Sequence, residues 1–93
     1  MSQSNEQQIA VVDVRTPMEY ASGHVVGSVN IPLNELPERM GELKEIKTPI
    51  VLCCASGMRS GQATQFLAQS GFDNVSNGGS WTDVQYQLVN KVN

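Results

Sequence analysis

One segment narrows the fold more than any other: Pro49-Ile50-Val51-Leu52-Cys53-Cys54-Ala55-Ser56-Gly57-Met58-Arg59-Ser60-Gly61-Gln62-Ala63. Ile50 to Cys53 is a short apolar run and reads as a buried strand. The run stops at Cys54, and a small, polar, glycine-containing loop follows. From about Ser60 the pattern turns helical, with Ala63, Phe66 and Leu67 on one stripe. This order puts Cys54 at the C-terminal end of a strand, facing a helix N-terminus. In open α/β sheets that crevice is where ligands bind.

The residues in this crevice suit a reactive thiol. Thiolate is the nucleophilic form of cysteine, and a free thiol is mostly protonated at neutral pH. Loop N–H groups and the positive end of a helix favour the anion. Arg59 adds a fixed positive charge five residues on. The loop Ala55, Ser56, Gly57, Met58 and Arg59 is therefore expected to lower the pKa of Cys54 and to hold an anionic substrate. A lone cysteine after an apolar strand is ordinarily a small buried hydrophobe. Here the small-residue loop, the glycine, the arginine and the helix start coincide, which points to function.

The flanking segments alternate in type. Ile9 to Val14 is β-branched and apolar on both parities, as a central parallel strand requires. Asp13 near its end must find a partner, because an unpaired buried charge is costly. Thr16-Pro17-Met18-Glu19 is a helix start, with threonine as N-cap, proline at N1 and glutamate at N3. Gly23 ends that helix. Arg15 and Glu19 are expected to form an ion pair with a role in the fold. His24, the only histidine, is expected to be a turn residue whose ring bonds to backbone.

Ser28 to Ile31 reads as a short extended segment, and Leu33 to Met40 and Gly41 to Ile46 as helical turns, with Pro37 in a first turn. Glu35, Glu38, Glu42 and Glu45 interleave with Arg39, Lys44 and Lys47 as a solvated face. After the cysteine loop, a helix runs to about Gln69 and is capped by Gly71. Phe72 to Ser76 reads as a strand, and Asn77-Gly78-Gly79 as a turn. Ser80 to Asp83 reads as a capping box that opens a last helix, Trp81 to Val89. Trp81 is a core anchor there. The βα alternation predicts an α/β fold, a central parallel sheet with helices on both faces.

Ninety-three residues allow one modest core. The expected division is a disordered polar N-terminus over 1–8 and a single domain over 9–93. A net charge of −3 disfavours nucleic acid, and no apolar run approaches membrane-spanning length. The N-terminus is polar, so no signal peptide is visible. Adjacent cysteines are poor partners for an ordinary disulfide, and their spacing does not match a zinc site, so no metal or cofactor is expected. A reducing compartment, the cytoplasm, is expected by default, with the periplasm the alternative if a signal peptide has been removed, and a monomer is expected.

Three blocks together carry a family resemblance. Cys54-Ala55-Ser56-Gly57-Met58-Arg59-Ser60 resembles the active-site loop of rhodanese-type sulfurtransferases, with glycine at +3 and arginine at +5. Asp13-Val14-Arg15-Thr16-Pro17-Met18-Glu19-Tyr20 and Gly23-His24-Val25-Val26-Gly27-Ser28-Val29-Asn30-Ile31-Pro32 resemble its other hallmarks. The likeness runs from about Ile9 to Trp81 and is nearest to small single-domain members of the phage-shock protein E type. Many members carry an extra strand and helix before the first block, so a missing or short first strand is expected here.

The resemblance implies a rhodanese-like fold and sulfur transfer. Cys54 would take sulfane sulfur from thiosulfate or a similar donor, hold it as a persulfide, and pass it to cyanide or a thiol acceptor. Loop amides and Arg59 would bind the anion, and Asn77 to Ser80 would line the pocket at the active-site mouth. Two alternatives stand beside this. Counted from Cys53, arginine falls at +6, as in cysteine phosphatases and arsenate reductases. A non-catalytic rhodanese-type module that binds a partner is the other.

Overall fold

The computed structural model describes residues 9–90. The predicted disorder of residues 1–8 and the predicted missing first strand lie outside them. Four strands form one sheet in the order β2-β1-β3-β4: β1 is Ala10–Asp13, β2 Val29–Asn30, β3 Ile50–Cys54 and β4 Val75–Ser80. Every pairing is parallel. Between them lie α1 (Pro17–Ala21), α2 (Leu36–Lys44) and α3 (Met58–Gln69), with α4 (Trp81–Asn90) last. The expected α/β fold with a central parallel sheet is present.

Strand alternation divides the core into two layers. On one face, Val12, Val14, Leu52 and Cys54 pack with Leu36 and Leu43 of α2 and with Ala63 and Leu67 of α3. On the other, Val11 and Cys53 pack with Val25 and with Val84 of α4, joined by Trp81 and Leu88. Both faces are therefore covered, which explains why β1 and β3 are apolar at consecutive positions. Burying each large aliphatic side chain contributes about 1.5–3 kcal/mol.

Local chemistry explains most element ends. Thr16 caps α1 as predicted: its Oγ1 accepts the Glu19 N–H, and the Glu19 carboxylate accepts the Thr16 N–H at 2.9 Å. Gly71, at φ +103, follows α3 in the left-handed conformation that glycine adopts without cost. The Ser80 hydroxyl accepts the Asp83 N–H at 3.1 Å to open α4. The Leu33–Met40 segment is less regular than predicted. It begins as a 3₁₀ turn at Leu33–Glu35, then enters α2, which is kinked at Arg39.

Two expectations are corrected. Asn77-Gly78-Gly79 is not a turn but lies inside β4. The β3–β4 register shifts there, with Leu52 opposite Asn77 and Cys53 opposite Gly79, so Gly78 is the extra residue of a bulge. A Cβ on Gly78 would lie 2.5 Å from a Val51 methyl and 2.8 Å from a Val84 methyl. Glycine is thus required by close approach, not by a reversal of direction.

Arg15 does not pair with Glu19. Its Nε and Nη2 donate to Asp13 at 2.9 and 2.7 Å, its Nη2 also reaches the Gly23 carbonyl, and its guanidinium lies 5.0 Å from the Trp81 ring centroid. Asp13 is fully buried at the end of β1. The nearby arginine answers that buried carboxylate, as the burial penalty demands.

This buried pair makes a prediction. Asp13→Ala strands the Arg15 charge and should cost about 3 kcal/mol or more, a fall in Tm of more than roughly 10 °C for a domain this small. Removing both charges with Asp13→Ala/Arg15→Met should recover part of the loss. Thermal melts in which the double variant is no better than the single would refute the buried-charge account.

Candidate active site

Cys54 is the last residue of β3, and its side chain faces the α3 layer. The loop then turns so that its N–H groups converge on the sulfur. Gly57 makes this possible with φ +104, a left-handed conformation at the N-cap of α3. Its N–H donates to Cys54 Sγ at 3.0 Å. The Ser60 N–H, in the first turn of α3, donates at 3.4 Å, and the Ser60 hydroxyl lies 3.5 Å away. α3 begins at Met58, not near Ser60, so the helix N-terminus is closer to the sulfur than the periodicity alone gives.

Opposing effects act on this thiol. Burial pushes its pKa up, since Cys54 is only 1% exposed. The Ser60 hydroxyl and the N–H groups of Ser60, Gly57 and Ser56 push it down. The donors win, and the pKa falls to about 7. Cys53 meets the reverse situation. Its side chain is in the α4 layer at 0% exposure, and burial, with the Asp13 charge, drives its pKa up to about 12. The Cys53 thiol is therefore turned away from the loop, which leaves the phosphatase-like counting without a nucleophile facing its arginine.

The remaining loop residues take separate positions. Ala55 and Ser56 are exposed, Gly57 and Arg59 half-buried, and the Met58 side chain points outward at 75% exposure. Arg59 is held by Glu19 of α1 in a bidentate pair at 2.8 and 3.0 Å. The Arg59 guanidinium, with the Thr16 donors, holds the Glu19 carboxyl down at about 2. That pair keeps its charge through the whole neutral range. Arg59 also borders a groove of about 380 Å³ with Val14, Thr16, Pro32, Leu33 and Asn34, beside the loop. His24 is exposed, its ring stacked 3.7 Å from that of Tyr20 and its Nδ1 on the Tyr20 carbonyl, as a turn residue.

Two residues at the site, Glu19 and Ser60, were not singled out for it by the sequence, and a third, Asn77, was expected only to line the pocket. Glu19 reads as a helix cap and is one, yet the same carboxylate clamps Arg59. Ser60 sits at the sulfur, and its position in the first helical turn was the available signal. Asn77 reaches the loop from β4: its Nδ2 donates to the Gly57 carbonyl at 3.1 Å, and its Oδ1 accepts from Ser60 Oγ at 2.6 Å. Its register opposite Leu52 puts it on the α3 face of the sheet, within reach of the loop.

The thiol geometry is directly measurable. Iodoacetamide alkylation of the folded protein should titrate with a midpoint near 7 at Cys54 and should spare Cys53. Peptide mapping across a pH series reads both. A midpoint near the ordinary cysteine value of about 8.5 would remove the donor-ring account.

Comparison with known proteins agrees with this architecture. The Rhodanese-like domain family matches residues 1–85. The chain is 39% identical over 79 residues to the thiosulfate sulfurtransferase PspE of Escherichia coli, covering 84% of this chain and 76% of PspE. It is 40% identical over 67 residues to the uncharacterized protein YqhL of Bacillus subtilis, covering 72% of this chain and about half, 52%, of YqhL. An E. coli rhodanese structure with anions aligns at a TM-score of 0.74 and 37% identity, over 81% of this chain and 89% of that one. With the parallel sheet and the strand-end cysteine loop already in view, the chain belongs to the Rhodanese-like domain family.

Proposed function

We propose that this protein is a thiosulfate sulfurtransferase that works through a Cys54 persulfide. The observation that carries the reading is the ring of donors on Cys54 Sγ, with Gly57 N–H at 3.0 Å and Ser60 N–H at 3.4 Å. A pKa near 7 leaves about half the thiol ionised at neutral pH while keeping good nucleophilicity. PspE, the relative named as a thiosulfate sulfurtransferase, supports the choice of donor.

The chemistry has two displacements. The Cys54 thiolate attacks the outer sulfur of thiosulfate. A new S–S bond forms, the old one breaks, and sulfite leaves with its electron pair. A Cys54 persulfide remains, and its terminal sulfur is charged. A nucleophile such as cyanide or a thiolate then attacks that sulfur, and the Cys54 thiolate leaves. The amides of Ser56, Gly57 and Ser60 stabilise the Cys54 thiolate before the first displacement and after the second, and the charged outer sulfur of the persulfide lies in the same cup of loop N–H groups, so the dipoles need little reorganisation. Arg59, fixed by Glu19, sets a positive charge at the groove edge, where the donor's sulfonate is held. Ala55 and Met58 complete the loop, Ala55 by its small size and Met58 by its position between the N-cap and Arg59. A reducing compartment, the cytoplasm, keeps Cys54 available.

Two experiments test this reading. Sulfite release from thiosulfate with cyanide present should fall to background in Cys54→Ser and persist in Cys53→Ser. Mass spectrometry of thiosulfate-treated protein should find one added sulfur atom on the Cys54 peptide. No added sulfur, with partner capture intact, would instead favour a binding module. Phosphate release that depends on Cys53 would favour the phosphatase reading. Arg59→Ala should raise KM for thiosulfate about tenfold, the loss of one charge-assisted contact. An unchanged KM in steady-state kinetics would leave Arg59 with the loop-bracing role alone.

A further inference from the structure

Ser60 has one hydroxyl hydrogen and two acceptors within reach. Cys54 Sγ is 3.5 Å away, and Asn77 Oδ1 is 2.6 Å away. The orientation of the Asn77 amide is fixed by two backbone groups of known polarity. The Gly79 N–H can only donate, and it meets Oδ1 at 3.0 Å. The Gly57 carbonyl can only accept, and it meets Nδ2 at 3.1 Å. The atom that faces Ser60 is therefore an oxygen, so Ser60 must be the donor there. With its hydrogen on Asn77, the Ser60 oxygen offers only a lone pair to the sulfur. That arrangement suits a neutral thiol, whose S–H can donate to Ser60. The hydroxyl favours the thiolate only when it rotates from Asn77 toward the sulfur.

We propose that Asn77, presented by β4 from its position opposite Leu52, competes with Cys54 for the Ser60 hydrogen and so restrains ionisation of the thiol. Asn77 is a positioning residue in this scheme and touches no substrate. The restraint has a use in a two-displacement reaction. Sulfur must be both attacking group and leaving group, and the best thiol for exchange ionises near the ambient pH instead of far below it. β4 is built for this contact. The extra residue, Gly78, belongs to the opposite face, where a Cβ would strike Val51 and Val84, while Asn77 faces α3. A Cβ on Gly61 would come within 3.3 Å of Asn77 Nδ2, so the helix is also kept open for the side chain.

Other charges about Cys54 do not change in the test. They are Arg59 on α3 with its partner Glu19 on α1, and the Asp13–Arg15 pair at the end of β1. Cys53 adjoins it on β3, and the β4 sequence VSNGGS brings no titratable group. Arg39 of α2 is paired with Glu35 and Glu42.

The inference rests on Cys54 being the reactive thiol, but alkylation reads the thiol without any sulfur transfer. Failure of the sulfurtransferase reading and failure of this one are thus separable. The pH dependence of Cys54 alkylation by iodoacetamide should shift to lower pH in Asn77→Ala. At about pH 6 the rate should rise about threefold, as expected for a half-unit fall in pKa. Asn77→Asp, a stronger acceptor with a negative charge, should shift the profile the other way. Ser60→Ala should also shift it upward, and adding Asn77→Ala to Ser60→Ala should then change nothing further. A merely structural Asn77 predicts that Ala and Asp both loosen the loop and both raise the pKa. That result, or a full Asn77 effect in the Ser60→Ala background, overturns the proposal. If Asn77→Ala does not fold, Asn77→Val offers the same missing acceptor on a residue suited to a strand.

Discussion

The whole site depends on a contest at one atom. Cys54 Sγ is buried deeply enough that burial alone would keep it protonated, yet the Ser60 hydroxyl and the N–H groups of Ser60, Gly57 and Ser56 bring its pKa down to about 7. Those N–H groups converge because Gly57 takes φ +104 at the N-cap of α3. Gly57 is free to do so only while nothing occupies the space in front of it. A Cβ there would lie 3.3 Å from the Gly79 Cα, so loop and β4 meet backbone to backbone. Donors fixed in a low-dielectric site act more strongly than the same groups in water. The glycines are therefore electrostatic components of the site as much as steric ones.

An acidic chain that must attract an anion has to do so locally. The net charge of −3 offers no long-range attraction. Arg59 supplies a cation beside the loop, but Glu19 neutralises most of its outward field. What remains is directional: N–H groups aimed at the sulfur and a guanidinium locked in one orientation. Such a site selects by geometry more than by charge, and Glu19 trades attraction for rigidity. The same carboxylate caps α1, so the entry of α1 and the position of the arginine are set by one side chain.

Much of this was legible from residue order. The apolar run before Cys54, the threonine–proline–glutamate helix start and the βα alternation each follow from short-range chemistry, and each is present. What was not legible depended on contacts between distant segments. Arg15 and Glu19 are four apart in sequence and of opposite charge, so local spacing paired them. Burial decided otherwise: Asp13 is fully enclosed and takes Arg15, which leaves Glu19 to Arg59, forty residues away. Asn77-Gly78-Gly79 has turn composition, but Gly78 answers the crowding of Val51 and Val84 across the sheet, and Gly79 takes φ +88 within the strand. The Ser60 hydroxyl was missed because a serine in a helical turn has many uses.

The two adjacent cysteines show how little sequence distance means at a strand. Successive side chains on β3 point to opposite faces, so Cys53 enters the α4 layer and Cys54 the α3 layer. One meets aliphatic walls and the Asp13 charge, and its pKa rises to about 12. The other meets the loop donors, and its pKa falls to about 7. A one-residue slip of β3 would exchange their environments and bury a reactive thiol among apolar side chains. Register is pinned against such a slip on both sides, by β1 over four pairs and by β4 up to and beyond its bulge. The bulge therefore has two effects at once. It permits close approach at Gly78, and it shifts the pairing by one residue so that Cys54 lies opposite Ser80. Choice of nucleophile is, in this protein, a property of strand pairing.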